Sequence, residues 1–508
     1  MAPLCWHNGS VSRSKDSNVD GSKQGADFLQ LSVGDAPAGG ISEWLARQLR
    51  LAIADGRLSV GSRLPATRVL AAELRVSRGV VTEAYQRLIE DGHVVGRGRA
   101  GTIVVATPLL APVLARQAVL SSPPTASGVF AGEPGVDIFD LLRAVPARID
   151  FTPGVPDLAA FPRPGWLRAE RAVLNSMSAS ALGYGDPQGA RALRIAVANW
   201  LARNRGIRVD SSEVLIVAGV AQALVLLSQV LRDDGILEVA VEDPGSLGTR
   251  QQLRNGDLAT PPVSVDSEGI RVDELRDSGV RAVLLTPAHQ FPTGVVLDGE
   301  RRRELMRWAS DGGLIIEDDY DAEHRYDRPP VPALRSMLAE HVCYAGSVSK
   351  LLAPALRVGW VVAPRRYHDA LVAAKRNADL GNALLPQLVL AHLMESGGLE
   401  RQLRFLRGRH RRRRDAMVAA IQAHLPEAVV HGAAAGLHLM ITFNATFADA
   451  DLAAASLARG VKVQPLSWHC QRPSQPGLVL GYAARTPSEI SHGVATLGDV
   501  LKRLVRRH

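Results

Sequence analysis

The chain has 508 residues, which at about 100–200 residues per domain predicts more than one folded unit. Hydrophobic residues make up 46% and charged residues 22%, an ordinary globular composition that excludes a wholly disordered chain. Lys and Arg number 59 against 51 Asp and Glu, so the net charge is +8, which predicts a local basic patch for an anionic partner and excludes a uniformly basic protein. Cys5, Cys343 and Cys470 stand far apart with no CxxC, so no zinc finger, other metal site or disulfide framework is expected, and idle thiols in a reducing compartment are. The first residues lack the apolar stretch of a signal peptide. Leu215–Leu231 is interrupted by Gln222, Ser228 and Gln229 and falls short of the roughly 20 apolar residues of a membrane span, so it is expected to be a strand followed by a helix, and the protein to be cytoplasmic.

In chain order, residues 1–35 are rich in Ser, Gly, Asp and Lys and read as a disordered extension. Residues 36–106 are densely patterned. Ile41, Trp44, Leu45, Leu49, Ala52 and Ile53 follow helical spacing up to Gly56. A second helix is expected from Thr67, as N-cap, through Leu74. A third is expected after the cap Ser77, with Val81, Ala84, Tyr85, Leu88 and Ile89 as its apolar face and Gly92 closing it. Short strands Val94–Arg97 and Thr102–Val105 flank a glycine-rich tip. Two helices joined by a tight turn and followed by a hairpin predict a winged helix-turn-helix. Arg78, Gly79, Thr82 and Gln86 face away from the apolar stripe, where Arg78 suits a guanine edge or a phosphate, while Arg68, Arg97 and Arg99 suit phosphates or a minor groove.

Residues 64–92, LPATRVLAAELRVSRGVVTEAYQRLIEDG, and 96–105, GRGRAGTIVV, resemble the DNA-binding domain of the GntR family. The resemblance implies double-stranded operator DNA as partner, with Arg68, Ser77 and Arg78 as its first contacts.

Residues 107–148 are rich in Pro, Ala, Ser and Gly and read as a linker, partly helical near Ile138–Leu142. From 149 to 508, strands are expected at Val214–Val217, Leu237–Val241, Ala282–Leu285, Leu314–Glu317 and His341–Ala345, alternating with helices, so the fold class is α/β with parallel strands. Lys350, in Gly346-Ser347-Val348-Ser349-Lys350, fits a Schiff-base lysine, and Ser347, Ser349 and Arg357 fit a phosphate. Asp318 and Tyr320 follow a buried strand, where an acid meets the pyridine nitrogen of pyridoxal phosphate and a phenol its ring oxygen. Gly219, Val220 and Ala221 open a helix and offer backbone N–H groups to the phosphate. Two further turns, around Tyr184 and around His289 to Gly294, complete the set.

In order, GYGDPQG, the Gly219 turn, EDPG, HQFPTG, EDDY, GSVSK and Arg357 resemble fold-type I aminotransferases, and PGVPDLAAFP at 153–162 and AGLHL at 435–439 extend the likeness over most of 149–508. With its GntR-like N-terminus, the whole chain resembles the MocR/GabR-type transcriptional regulators. That implies pyridoxal 5'-phosphate on Lys350, a head-to-tail homodimer, Tyr184 reaching the phosphate across the dimer interface, and a small-molecule effector (the cofactor itself, an amino acid or an amine). Four positions depart from the enzyme pattern. Phe291 stands for the Asn of Asn-Pro-x-Gly, with His289 or Gln290 expected to supply its hydrogen bond. Ser246 stands for a stacking Tyr, Val220 and Ala221 for hydroxyl or amide side chains, and Val479 for the Arg that holds a substrate carboxylate. At most residual transamination is expected, and the alternative is a working aminotransferase with a DNA-binding appendage. Arg401, Arg404, Arg407, Arg409 and Arg411–Arg414 form the densest basic run, with a second at Arg503, Arg506 and Arg507; a solvated helix and a DNA-phosphate surface both fit the first run.

Overall fold

The computed structural model describes residues 31, 36–37, 40–98, 101–105, 126–326 and 331–506, in two compact units, residues 1–108 and 109–508. In the first unit α1 (Ile41–Ala54), α2 (Thr67–Leu74) and α3 (Arg78–Glu90) precede a hairpin of β1 (Val94–Gly96) and β2 (Thr102–Val104), paired Val94↔Val104 and Gly96↔Thr102. Trp44, Leu45, Leu49 and Ile53 of α1 meet Leu70 of α2 and Val81, Tyr85 and Leu88 of α3 in one core, closed by Val94 and Val104. Truncating a wholly buried Leu45 to Ala would cost about 2–5 kcal/mol. Two expectations change. Thr67 is the first residue of α2 and does not cap it; its Oγ1 accepts from Arg78 Nε at 3.3 Å instead. Ile89 lies near the end of α3, outside the core that Leu88 enters, and is exposed. Ser77 caps α3, its hydroxyl accepting from the Val80 N–H.

The second unit is built on an eight-stranded sheet of β3 (Val214–Val217), β4 (Ala240–Asp243), β5 (Pro262–Asp266), β6 (Gly269–Ile270), β7 (Ala282–Leu285), β8 (Leu314–Asp319), β9 (Val342–Ser347) and β10 (Gly359–Val362), in the order β3-β10-β9-β8-β7-β4-β5-β6. β10 is antiparallel to both of its neighbours and β6 to β5; the remaining pairs are parallel. Successive residues enter opposite cores: Val214 and Ile216 pack on one face, Leu215 and Val217 on the other. This is why the strand reads as an unbroken apolar run. α4 (Val220–Asp233) follows, covering the second face with Ala223, Leu224, Leu227 and Leu231, so the apolar stretch 215–231 is a strand and a helix. No helix among the described residues is long and apolar enough to cross a membrane.

β8 and β9 run on past their apolar residues, because Asp318 pairs with Ala345 and Asp319 with Gly346 in a parallel ladder that backbone groups alone sustain. The expected strand at Leu237–Val241 lies at Ala240–Asp243 for the same reason. A second, antiparallel sheet holds β11 (Ala428–His431), β12 (His438–Phe443), β13 (Gln464–Pro465) and β14 (Gly477–Gly481) in the order β11-β12-β14-β13. The stretch read as linker is helical at Ile138–Ala144, as expected, but is packed to a degree that was not. From residue 126 it forms two short helices, Ala126–Val129 and Ile138–Ala144, that bury Val129, Phe130, Ile138 and Leu142 in the core of the second sheet, where Phe130 stacks on Trp468 at 5.2 Å.

Candidate functional site

The carboxyl ends of the parallel strands converge on a cavity of about 590 Å³ lined by Asp318, Tyr320, Ser347, Ser349, Lys350 and Arg357, with Val220 and Ala221 beside them. Alternation along β8 decides which acid faces it. Glu317 accepts from the backbone N–H groups of Leu334 and Arg335 at 2.9 and 3.0 Å, and Asp319 from Arg205 and the Tyr344 hydroxyl, each at 2.5 Å. Asp318 points the other way, and its Oδ1 is buried with no hydrogen-bond partner. Burial, and then the charge of Asp319, push this carboxyl up to about 7, against the pull of Lys350. Burial likewise holds the Lys350 ammonium below its usual range, opposed by Asp318.

At the other end of the cavity, Gly219 adopts φ +88° just before α4. A Cβ there would lie 3.2 Å from the Arg357 guanidinium, so glycine keeps the approach open. The Val220 and Ala221 N–H groups belong to the first turn of α4, where no helical acceptor exists. Arg357 donates to the Ala218 carbonyl, and the Ser349 N–H donates to Ser347 Oγ at 3.4 Å. Lys350 is approached from above by Gly154, whose Cβ would sit 3.0 Å from Nζ. The donor set fits a pyridoxal phosphate: a cradle of N–H, hydroxyl and guanidinium groups at one end, an unpartnered buried carboxyl at the other, and a lysine between.

His289 and Tyr184 lie elsewhere. His289 is not part of the cavity wall; it stands behind Tyr320, its Nδ1 3.0 Å from both the Tyr320 hydroxyl and Asp321 Oδ2. Burial and the Asp321 charge raise the Tyr320 phenol well above its usual range. Gln290 closes its own turn, bonding Pro244, Phe291 and Thr293, and offers nothing to the cavity. Tyr184 is 97% exposed and is not on the wall of this chain's own cavity. Ser246 lines the cavity and caps the helix Leu247–Asn255. The aromatic rings on the wall are Phe139, Phe291, Tyr320, His438 and His469. Of these the sequence reading missed Phe139, lost in the linker, and both histidines; the only signal for His438 was its polar place between Leu437 and Leu439 in an apolar strand. His289, Asp321 and His438 are all buried with ligating atoms within 4.8 Å of one another, a grouping invisible in sequence.

On the first unit, Arg68, Ser77, Arg78, Gly79, Thr82 and Arg97 are all exposed around the start of α3 and the hairpin, and Arg99 lies outside the described residues. No carboxylate pairs with Arg68, Arg78 or Arg97 among the described residues. The densest basic run occupies α5 (Gly398–His424), and three of its eight arginines are committed internally. Arg409 and Arg413 are buried on Asp157 at 2.7 and 2.8 Å, and Arg414 bonds Ala433 and covers the Tyr326 ring. Arg401, Arg404, Arg407, Arg411 and Arg412 stay exposed. Arg507 lies outside the described residues.

A three-helix reader with a hairpin wing, joined to an open α/β body with a lysine pocket at its strand ends, defines a DNA-binding protein with an aminotransferase-type body. Residues 41–104 match the family of bacterial regulatory proteins, gntR family, and residues 149–497 match aminotransferase class I and II. A probable rhizopine catabolism regulatory protein MocR from Rhizobium meliloti is 31% identical, over 89% of this chain and 92% of its own. The HTH-type pyridoxine biosynthesis transcriptional regulator PdxR of Corynebacterium glutamicum is 30% identical, over 90% and 95%. Among solved structures, the alpha-aminoadipate aminotransferase LysN from Thermus thermophilus, complexed with N-(5'-phosphopyridoxyl)-L-leucine, is 27% identical with TM-score 0.66, over 75% of this chain and 98% of that one. The chain belongs to the MocR-type HTH regulators, in which a gntR-family reader precedes an aminotransferase class I and II domain.

Proposed function

We propose that this chain is a pyridoxal-phosphate-dependent transcriptional regulator that binds operator DNA in the cytoplasm as a head-to-tail homodimer and responds to a small amine, an amino acid or the cofactor itself. The observation that carries the cofactor is the buried, unpartnered Asp318 Oδ1 opposite Lys350. Pyridoxal phosphate, when bound, supplies a carbonyl carbon that combines reversibly with amines and a ring that withdraws electrons. Asp318 takes the ring N–H, Tyr320 the ring oxygen, and Lys350 the carbonyl carbon. Ser347, Ser349, Arg357 and the N–H groups after Gly219 hold the phosphate. His289 positions Tyr320 from behind, and the exposed Tyr184 is free to reach a partner subunit's site. Arg68, Ser77, Arg78, Gly79, Thr82, Arg97 and Arg99 contact DNA. Residues 36–106 serve as reader and residues 149–508 as sensor, with 126–148 joined to the sensor by its packing. The ligand acts by binding one arrangement of the dimer more tightly than another.

Two measurements test this reading. Full-length protein loaded with pyridoxal phosphate is expected to show a visible absorbance band that disappears in Lys350→Ala. Its footprint on its own upstream DNA is expected to change with cofactor or with amines, and a footprint indifferent to every ligand would remove the sensor. Enzyme-like multiple-turnover transamination would favour the second reading, a working aminotransferase, which the intact lysine pocket supports and Val479 opposes.

A further inference from the structure

The part of the cavity wall formed by Phe291, His438, Gln464 and His469 presents rings and an amide to the cavity. β12 and β14 pair Met440 with Val479 and, one pair further along the same face, His438 with Gly481. Gln464 of β13 lies against Val479 from the other side. Met440, Leu466 and Val479 form a buried apolar cluster, and the ring packed on it is Phe291. The two positions singled out in the sequence, 291 and 479, thus meet in one cluster: the phenyl ring packs on the group that holds the valine. Phe291 also touches His438 and His469, at 4.9 and 5.0 Å between ring centroids.

Both histidines are neutral with fixed tautomers. His469 Nδ1 accepts from the Leu247 N–H, so its Nε2–H donates to Gln464 Oε1 at 3.1 Å. His438 faces the Pro292 carbonyl with Nε2 at 3.2 Å and must donate there, which leaves Nδ1 as a lone-pair acceptor with no donor among the described residues. Burial pushes both rings down to about 3, so neither gains a positive charge near neutral pH. The cations on the cavity wall are accounted for elsewhere. Lys350 and Arg357 belong to the cofactor end, Lys462 pairs with Asp150 at 3.6 Å, Arg143 pairs with Asp140 on the exposed rim, and the buried Arg250 behind His469 donates to the Trp468 carbonyl at 2.7 Å. A carboxylate placed against this wall would lose its hydration to an apolar cluster and a repelling lone pair.

We infer that the ligand seated beside Lys350 is a small amine whose far end is an uncharged hydrogen-bond donor, such as a hydroxyl, and not a carboxylate. This rests on the cofactor reading above and names the ligand class that the same pocket takes. The hydroxyl donates to His438 Nδ1, and the carbon skeleton lies on Phe291.

Calorimetric titration of full-length protein loaded with pyridoxal phosphate tests it, using matched pairs: L-alaninol against L-alanine, and 3-amino-1-propanol against β-alanine. Each amino alcohol is expected to bind at least about tenfold more tightly than its amino acid, the scale of one unpaired buried polar group. His438→Leu is expected to weaken the amino alcohols by about tenfold while the visible cofactor band stays. Phe291→Asn combined with Val479→Arg is expected to reverse the preference, and Val479→Arg alone to do so less, because Phe291 still packs on that cluster. Amino acids binding as well as their alcohols, or amino-acid affinity that falls in Lys462→Met, would overturn the inference. The wild-type ratio decides the matter even if a variant fails to fold. Failure of the cofactor reading looks different: the band is then missing, or survives in Lys350→Ala.

Discussion

Arginine does opposite work in the two units. Among the described residues, Arg68, Arg78 and Arg97 of the small unit are exposed without carboxylate partners, whereas Arg409 and Arg413, inside the richest basic run of the chain, are buried on Asp157. The difference teaches that local charge density does not report exposure. A small unit with one core has an outside for almost every polar side chain; a large one draws its long helix inward and neutralises it with an acid from far away. A test of the basic run for DNA contact therefore belongs on Arg404, Arg407 and Arg411, and not on Arg413, which is a packing residue.

The largest expected effect breaks the buried half of the comparison. Asp157→Asn leaves two buried guanidiniums facing a neutral amide and is expected to cost the large unit about 3–5 kcal/mol in urea unfolding, while the small unit is unaffected. A smaller effect needs no substitution. Burial alone would raise the Asp157 carboxyl, but Arg413 and Arg409 overcome it and hold the group at about 2, below its ordinary 3.8. A lowered native pKa gives stability that is present above the unfolded value and lost as pH falls through the folded one. About 2 kcal/mol should therefore disappear between pH 4 and pH 2, and this part of the acid loss should be absent in Asp157→Asn. In the exposed half, Arg78→Ala is expected to weaken operator binding by about 1–3 kcal/mol and flatten its salt dependence by about one unit, with the cofactor band unchanged. Ser77→Ala removes the cap of α3 and should cost the small unit about 1 kcal/mol. Smallest is Arg411→Ala: exposed and unpaired with any acid among the described residues, it should move stability by less than about 0.5 kcal/mol. A larger loss there would mean that the exposed part of the run is also structural.

Much of this was legible in the residues. The small unit is written locally: the caps, the apolar stripe and the exposed arginines of α3 lie within a few turns of one another, so periodicity finds them. Five of the eight strands of the large sheet are equally plain, as is the glycine turn after β3, whereas β5, β6 and β10 were not read. What escaped depends on distance. Asp157 and Arg409 are 252 positions apart, and nothing in either segment announces the other. Phe130, Phe139 and Leu142 sit among prolines, serines and glycines that read as linker, yet they pack on a sheet formed some 300 residues later. Which acid of Glu317-Asp318-Asp319 faces the cavity follows from strand alternation, but only once β8 is known to continue through all three. The neutrality of His438 and His469 comes from their burial, and their tautomers from Pro292 and Leu247, neither of which a sequence pattern encodes.

Phe139, Leu142 and Arg143 line the cavity, and they also belong to the first described stretch of chain after the DNA reader. That described segment is thus anchored on the wall of the cavity. Occupancy and anchoring are therefore one thermodynamic cycle. A ligand that requires the anchored segment and is present at 100 times its Kd adds about 2.7 kcal/mol against release of that segment. By the same cycle, whatever lifts the segment must loosen the ligand by an equal factor. Amide exchange at Ile138–Ala144, slowed by ligand and quickened by operator DNA, is the signature of a message carried along the chain itself.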